Sequence, residues 1–225
     1  MIYTRENTAA DFRKFAKDKV GLPGTTTDAL ISSSTPYILE EREMRATLMD
    51  VFSRMLMERI IFLRGVVCDE MSDIVQAQLL YLDSLQTQDI TFYINSPGGS
   101  VQSGLNIVST MEYIKSDIAT CNIGLCASMG SILLGAGKKG KRSILKYSKT
   151  MLHQSSGGFN GNIQDAELDM IEWQKVNNLL FELLGEYCDK KPEVVKKDAT
   201  RDLWLDSAES KKYGIVDSIL KTMKK

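Results

Sequence analysis

The chain has 225 residues, 43% hydrophobic and 25% charged, which is typical of a globular domain with a sizeable core. Lys and Arg number 28 and Asp and Glu number 29, and this balance argues against a general nucleic-acid-binding protein. The single histidine, His153, excludes a metal site built from two or three histidines. The four cysteines form no C-x-x-C pair, which predicts reduced thiols in a cytoplasmic protein.

Residues 1–36 differ in character from the rest of the chain. They contain two turn-rich strings, Gly21-Leu-Pro-Gly-Thr-Thr-Thr27 and Ser32-Ser-Ser-Thr-Pro36, and no apolar period persists. Their longest apolar run, Ala29-Leu-Ile31, is too short for a secretory signal. We expect residues 1–34 to form an extension or pro-segment and residues 35–225 to form one domain, with a structured N-terminal arm as the alternative.

From about residue 46 onward, apolar segments with strand and helix periods alternate, which indicates an α/β fold. Turn-forming residues separate the segments, most clearly Asn95-Ser-Pro-Gly-Gly99. The predicted elements, in chain order, are a helix at 49–56, a strand at 60–63, a helix at 73–85, a strand at 90–94, a helix at 105–114, a strand at 118–123, a helix at 125–136, strands at 143–145 and 150–152, helices at 162–187, 194–197 and 207–213, and a strand at 215–219.

Two of these stretches have alternative interpretations. Residues 118–137 carry no charge and are long enough to span a bilayer, but glycines and polar residues interrupt them, so we expect a buried strand, a turn and a small-residue helix. The helix at 162–187 exceeds the usual 8–20 residues. We expect it to project and to pack on another subunit; the alternative is that it lies along its own domain.

Two residues are candidates for nucleophilic catalysis. His153 follows an apolar strand and precedes a glycine-rich loop, and sites in α/β folds lie at such strand ends. Ser128 follows a strand and opens a helix, a geometry that exposes a serine and directs backbone N–H groups toward an oxyanion. Cys126-Ala-Ser-Met-Gly130 matches G-x-S-x-G only in part, because Cys126 replaces the first glycine. A purely structural role is the alternative for each residue.

Other chemical groups have weaker patterns. Cys121 and Cys126 are rival nucleophiles, but their charge-free surroundings are expected to raise the thiol pKa and leave them inert. The turn Ser96-Pro-Gly-Gly-Ser100 has backbone N–H groups that could complete an oxyanion hole, or it is an ordinary strand-to-helix turn. The segment 135–142 nearly fits a phosphate-binding loop, with the sequence Gly135-Ala-Gly-Lys-Lys-Gly-Lys-Arg142. Arg142, however, replaces the metal-binding hydroxyl. A helix is also predicted before the segment and a strand after it, whereas a phosphate-binding loop follows a strand and opens a helix.

A histidine base needs an acid to orient it through its other ring nitrogen. Physical reasoning from the sequence leaves six candidates for this acid: Asp165, Asp169, Asp198, Asp202, Asp206 and Asp217.

Taken together, the ordered segments resemble the proteolytic subunits of the Clp protease family. They follow the family's order over about residues 36–220, and so many ordered motifs are very specific. The matching strings are Phe52-Ser-Arg54, Glu58-Arg-Ile-Ile-Phe-Leu63, Tyr93-Ile-Asn-Ser-Pro-Gly-Gly-Ser100, Ala127-Ser-Met-Gly130, Gly135-Ala-Gly-Lys-Lys-Gly-Lys-Arg142, Met151-Leu-His-Gln154 and Tyr213-Gly-Ile-Val-Asp217.

The resemblance implies a crotonase-like α/β fold with a protruding long handle helix and a Ser-His-Asp triad. The family's motifs make Ser128 the nucleophile, His153 the base and Asp202 the acid. They also make the backbone N–H groups of Gly99 and Met129 the donors of the oxyanion hole.

The resemblance further implies a serine endopeptidase that degrades unfolded polypeptides to short peptides. Its subunits would form two stacked heptameric rings, interlocked by the handle helix. An AAA+ unfoldase such as ClpX, ClpA or ClpC would dock and use the ATP, so no cofactor or metal is expected in this chain. Neither nucleic acid nor a membrane is an expected partner.

Three features depart from the family pattern. Ser155-Ser156 stands where Pro-Leu is usual, which predicts a looser loop after His153. Thr91 replaces a tyrosine of the docking surface, and the leader is longer than usual, with self-processing expected near residues 32–34.

The alternative function is a crotonase-type acyl-CoA enzyme or a non-proteolytic subunit, because oxyanion-binding turns also suit thioester chemistry. The pairing of Ser128 with His153 favours the protease.

Overall fold

The computed structural model describes residues 37–42, 45–158 and 162–221, which belong to two compact units, Met1–Glu58 and Arg59–Lys225. The predicted boundary at residues 34 and 35 and the expected processing site lie outside the described residues. In the first unit, two antiparallel strands lead into a short helix. These elements are β1 (Tyr37–Arg42), β2 (Arg45–Asp50) and α1 (Val51–Met57).

The second unit alternates strands and helices, which confirms the predicted α/β class. Its elements are β3 (Ile60–Arg64), α2 (Asp69–Leu85), β4 (Ile90–Ser96), α3 (Val101–Tyr113), β5 (Ile118–Ala127), α4 (Met129–Gly135), β6 (Arg142–Leu145), β7 (Lys149–Leu152), α5 (Ile163–Tyr187), α6 (Pro192–Asp198), β8 (Leu203–Leu205), α7 (Ser207–Tyr213) and β9 (Ser218–Leu220).

The sheet of this unit divides along its longest strand. Strands β3, β4, β5, β6 and β9 are parallel neighbours in that order. The first half of β5 pairs with β6 through residues 120–122, whereas its second half pairs with β7 through residues 125–127. Strand β8 then pairs antiparallel with β7. The predicted helix start at residue 125 was therefore wrong, because this segment continues the strand to Ala127, and β8 was not predicted.

Two asparagine side chains bond the backbone where β5 changes partner. The buried Asn122 donates from Nδ2 to the carbonyl of Lys149 at 2.8 Å and accepts at Oδ1 from the N–H of Gly124 at 3.0 Å. Asn95 Oδ1 accepts from the N–H of Leu125 at 3.0 Å. These amides replace ladder hydrogen bonds that the divided strand cannot make, and buried backbone groups need such partners.

Helices α2 and α3 bury one face each, with Val75, Leu79 and Leu82 from α2 at helical spacing. Every residue of the short helix α4 is buried, and small residues allow close approach: a Cβ added to Gly130 would lie 2.9 Å from the carbonyl oxygen of Ser96. Residues 118–137 thus form the expected strand, turn and helix. In the described ranges, no helix is long and apolar enough to cross a membrane.

Helix α5 has 25 residues and a length of about 37 Å at 1.5 Å per residue. Its buried residues all lie in its last third: Leu180, Phe181, Leu184 and Gly185. The preceding part exposes large apolar side chains, including Ile163, Leu168 and Ile171.

A buried ion pair joins β6 to the segment before β9. The side chain of Arg142 is 3% exposed, and its guanidinium donates to both carboxylate oxygens of Asp217, at 2.6 and 3.0 Å. The same carboxylate accepts from the backbone N–H groups of Gly140 and Arg142. Burial raises the pKa of Asp217, but the hydrogen bonds from Arg142 and Gly140 outweigh it and hold the pKa below its usual range.

Asp217→Asn leaves the Arg142 guanidinium buried without its counter-charge, so we expect the free energy of unfolding at pH 7 to fall by about 3 kcal/mol. The native pKa of Asp217 is lowered, so its stabilisation is present above the unfolded pKa of about 4 and is lost as pH falls through the native pKa. Urea unfolding of both proteins should therefore show a difference that shrinks below pH 4.

The matched control is Asp189→Asn, which removes an exposed ion pair with Lys139. This substitution is expected to change stability little. Equal effects of the two substitutions, or a difference for Asp217→Asn that persists at low pH, would contradict the role assigned to the buried pair.

Candidate active site

Ser128 lies at the junction of β5 and α4 in a strained backbone conformation. Its φ of 53° and ψ of −125° are sparsely populated by non-glycine residues. The N–H of Ser128 donates to the carbonyl of Met151 at 3.0 Å, and its carbonyl accepts from the N–H and hydroxyl of Ser131. These bonds hold the turn from both sides. Among the described residues, the Ser128 hydroxyl has no hydrogen-bond partner, so it is available to another molecule.

The glycine-rich turn after β4 lies against Ser128. Gly98 has a φ of +93°, and a Cβ there would lie 2.6 Å from Cβ of Ser128 and 2.9 Å from the backbone nitrogen of Met129. The turn is held by Val67, which donates to Gly98 O and accepts from Ser100 N, both at 2.8 Å. Within the described part of the chain, the N–H groups of Gly99 and Met129 donate no hydrogen bond. Two free donors therefore flank the serine turn.

His153 follows β7 directly and lies in the same cleft as Ser128. The hydrogen bond from Ser128 N to Met151 O joins the serine turn to the strand that carries the histidine. Apolar side chains from α3, α4 and α5 form most of the remaining wall: Val101, Met129, Ile132, Leu180, Phe181 and Leu184. The structure thus brings together the two residues that the sequence singled out.

Among the six candidate aspartates, Asp202 is the one with a carboxylate within 4 Å of His153 in the described chain. Its Oδ1 lies 3.7 Å from Nδ1 of His153, and the side chains are 60% and 23% exposed, respectively. Asp202 immediately precedes β8, and the pairing of Leu203 with Leu152 places it beside the histidine. This distance is an ion-pair contact, longer than a hydrogen bond.

The other aspartates have different surroundings. Asp217 pairs with Arg142, Asp206 accepts from the N–H of Glu209 as the cap of α7, and Asp198 accepts from the hydroxyl of Tyr213. Asp165 and Asp169 lie in the exposed N-terminal half of α5. The pairing of β7 with β8 therefore distinguishes Asp202 from the other five candidate aspartates, a distinction that physical reasoning from the sequence could not make.

Sequence reasoning missed two polar residues of the cleft, Ser155 and Asn177. Oδ1 of Asn177 accepts from the backbone N–H of Ser155 at 3.0 Å and from its hydroxyl at 2.9 Å. The unusual serine after His153-Gln154 was noted as a departure, but its partner lies 22 residues further on and no local pattern identified it.

The rival nucleophiles are buried thiols. Burial raises the pKa of Cys121, and it raises that of Cys126 strongly. Sγ of Cys126 contacts the carbonyl of Ile94 inside the core, at 3.7 Å. The expected rise of the pKa of both thiols is confirmed, and a thiol with a raised pKa supplies little thiolate at neutral pH.

The segment that resembles a phosphate-binding loop is a turn between a helix and a strand. Helix α4 precedes the basic turn 135–142 and β6 follows it, as predicted, and the N–H groups of Gly140 and Arg142 are bonded to Asp217. In the part of the chain that the structure describes, no group of three or more His, Cys, Asp or Glu side chains is arranged as a metal site.

The sequence matches known proteins over nearly its whole length. The family model described as Clp protease matches residues 41–223. Curated proteins named ATP-dependent Clp protease proteolytic subunit are similar to the chain, and three of them serve as examples. The one from Bacteroides fragilis is 46% identical and covers 93% of this chain and 98% of its own; the one from Bacteroides thetaiotaomicron has the same values. The one from Porphyromonas gingivalis is 44% identical and covers 96% of this chain and 99% of its own.

The chain belongs to the Clp protease family. The resemblance stated from its motifs is therefore confirmed, as are the α/β fold and the protease class that it implied.

Alkylation of the native protein with iodoacetamide at pH 7 tests the state of the thiols. We expect the exposed Cys68 to react readily, whereas Cys121, Cys126 and Cys188 should react only on unfolding, because all three are buried and burial also raises the pKa of Cys188 to about 12. Peptide mass mapping after timed quenching reports each site, and Cys68 is the internal control. Modification of Cys126 at the rate of Cys68 would contradict a buried, protonated thiol.

Proposed function

We propose that this chain is the serine endopeptidase subunit of an ATP-dependent Clp protease, with Ser128, His153 and Asp202 as its catalytic triad. The observation that carries this proposal is the cleft in which the strained Ser128 turn lies beside His153, whose Nδ1 is the ring nitrogen next to Asp202. This order of nucleophile, base and acid is the arrangement that acyl-transfer chemistry requires.

In the proposed mechanism, Oγ of Ser128 attacks the carbonyl carbon of a peptide bond. His153 accepts the serine proton at Nε2 and then donates it to the leaving amine. Asp202, on the Nδ1 side, holds the ring and stabilises the imidazolium that forms. A water molecule, activated by the same imidazole, then hydrolyses the acyl-enzyme and restores the serine.

The free N–H groups of Gly99 and Met129 are the proposed oxyanion donors. Each such donor contributes about 2.7–4 kcal/mol to transition-state stabilisation in characterised enzymes. The close approach of Gly98 to Ser128 and Met129 supports this assignment, because a side chain at residue 98 would displace the turn. The apolar wall from Leu180, Phe181 and Ile132 favours an apolar substrate side chain beside the scissile bond.

For the assembly, we propose two stacked heptameric rings of this chain, located in the cytoplasm, with a chamber that receives unfolded polypeptides from an AAA+ unfoldase of the ClpX, ClpA or ClpC type. Two observations support this. The N-terminal part of α5 exposes apolar side chains that a second subunit would cover. The curated relatives are named ATP-dependent, whereas the phosphate-loop-like turn of this chain is already bonded to Asp217.

A fluorophosphonate probe tests the proposed triad. We expect it to label Ser128 of the purified protein, with labelling and peptide hydrolysis abolished in Ser128→Ala and reduced at least 1,000-fold in His153→Ala. Asp202→Asn should reduce hydrolysis less, because Asp202 is largely exposed and its charge acts through solvent.

Ser156→Ala is the control, since it alters an exposed serine of the loop after His153. Absence of labelling in an intact oligomer of the wild-type chain would favour the acyl-CoA or non-proteolytic alternative. Equal labelling in Ser128→Ala would place the nucleophile elsewhere.

Degradation of a folded substrate tests the proposed partner. We expect short peptides to be hydrolysed by the chain alone, and a stably folded protein to be degraded only when an AAA+ unfoldase and ATP are both present. Gel electrophoresis follows the folded substrate, with a non-hydrolysable ATP analogue and the Ser128→Ala protein as controls. Degradation of the folded protein without ATP would contradict the proposal.

A further inference from the structure

A network of three side chains, two from helix α5 and one from the loop after His153, joins the helix to the loop. Nε1 of Trp173 donates to Oγ of Ser155 at 2.6 Å. Oγ of Ser155 lies 2.9 Å from Oδ1 of Asn177, which also accepts from the backbone N–H of Ser155 at 3.0 Å. Trp173 and Asn177 are one helical turn apart, so both face the loop from the same side of the helix.

The direction of every hydrogen bond in this network is determined by the groups at its ends. An indole N–H and a backbone N–H can only donate, so Oγ of Ser155 accepts from Trp173 and the amide oxygen of Asn177 faces the loop. The Ser155 hydroxyl must then use its own proton toward Asn177. The donors and acceptors of the network are therefore compatible with one set of hydrogen-bond directions. A fully satisfied network of this kind restricts the backbone of the loop that it holds.

The loop backbone also packs on the indole ring. A Cβ added to Gly157 would lie 2.1 Å from the ring of Trp173. Ser155 and Asn177 line the cleft of Ser128 and His153, and they also line a second cavity together with Trp173, which does not line the cleft itself. Within the described part of the chain, Trp173 thus reaches the cleft through Ser155 and the loop.

In the part of the chain that the structure describes, the ion-pair contact of the His153 imidazole is a long one. Asp202 lies 3.7 Å away and is 60% exposed, so its restraint on the ring is weak. The backbone is held before the histidine by the pairing of Leu152 with Leu203, and after it by the bond from Gln154 N to Ala199 O. The Ser155 N–H bond is the next anchor along the chain.

We propose that Trp173, Asn177 and Ser155 are positioning residues, which hold the segment after His153 and thereby keep the imidazole aligned with Ser128. The inference rests on the proposed function, because it assigns the network a role in the reaction of His153. The proposal also means that α5 supports the active site of its own subunit, in addition to any contact that its exposed N-terminal part makes with another subunit.

Three substitutions test the network. Trp173→Phe removes the indole N–H together with part of the ring that packs on the loop, Ser155→Ala removes the hydroxyl, and Asn177→Leu removes the acceptor at similar volume. For a short fluorogenic peptide we expect kcat to fall about tenfold or more in each, since a small misplacement of a catalytic group has effects of this size. KM should change less, and the rate of fluorophosphonate labelling should fall in parallel with kcat.

Trp173→Phe is the sharpest variant, because Trp173 does not line the cleft of Ser128. Ser155→Thr keeps the hydroxyl and is expected to restore most of the activity lost in Ser155→Ala. Matched controls are Ser156→Ala and Asn178→Leu, which alter exposed neighbours of the same types and should keep wild-type kcat. Melting temperature and oligomer size are measured for every variant.

Hydrogen exchange separates this inference from the proposed function. We expect the Ser155 amide to exchange at least tenfold faster in Asn177→Leu than in wild type, whether or not the protein is active. One outcome would overturn the inference and leave the proposed function intact. In it, the wild type is active and the Ser155 amide exchanges faster in Asn177→Leu, but kcat is unchanged in Trp173→Phe and Ser155→Ala. A wild type that neither hydrolyses peptides nor is labelled would overturn the proposed function, and unchanged exchange would show that the network does not hold the loop. If Asn177→Leu does not fold, the inference is tested with Trp173→Phe and Ser155→Ala, for which kcat, fluorophosphonate labelling and exchange of the Ser155 amide are measured in the same way.

Discussion

The change of partner along β5 is the constraint on which the site depends. Because β5 leaves β6 after residue 122 and joins β7 from residue 125, its last residue, Ala127, lies next to the strand that precedes His153. Asn122 makes this possible by bonding backbone groups on both sides of the gap. An apolar residue at position 122 would remove both hydrogen bonds, each of which contributes about 0.5–1.5 kcal/mol. The buried amide of Asn122 thus supports the junction at which the pairing of β5 with β7 brings the serine turn and the histidine strand together.

The sequence predicted local features well because local spacing determines them. The apolar period of α2 and the turn after β4 are visible within a dozen residues, and both elements lie near their predicted positions. The segment 125–127 was assigned to a helix because its residues are small and apolar, which suits either element. Its strand conformation comes from pairing with β7, more than 20 residues further along the chain, and no local pattern contains that information.

The same limit applies to the site. Ser128 and His153 could be selected because each follows a strand, but six aspartates remained until the pairing of β7 with β8 placed Asp202 beside the histidine. The family resemblance chose the same aspartate from a two-residue motif. The hydrogen bonds that Ser155 donates to Asn177 could not be predicted from the sequence, because a serine and an asparagine 22 residues apart carry no joint signal.

The complete burial of α4 has a consequence for how the site is positioned. Ser128 caps a helix whose seven residues are all enclosed, so its position is tied to the packed interior. His153 and Asp202 instead flank β7 and β8, two short strands of four and three residues on a side branch of the sheet. The serine is thus positioned by the packed interior, whereas the histidine and the aspartate are positioned by the pairing of β7 with β8.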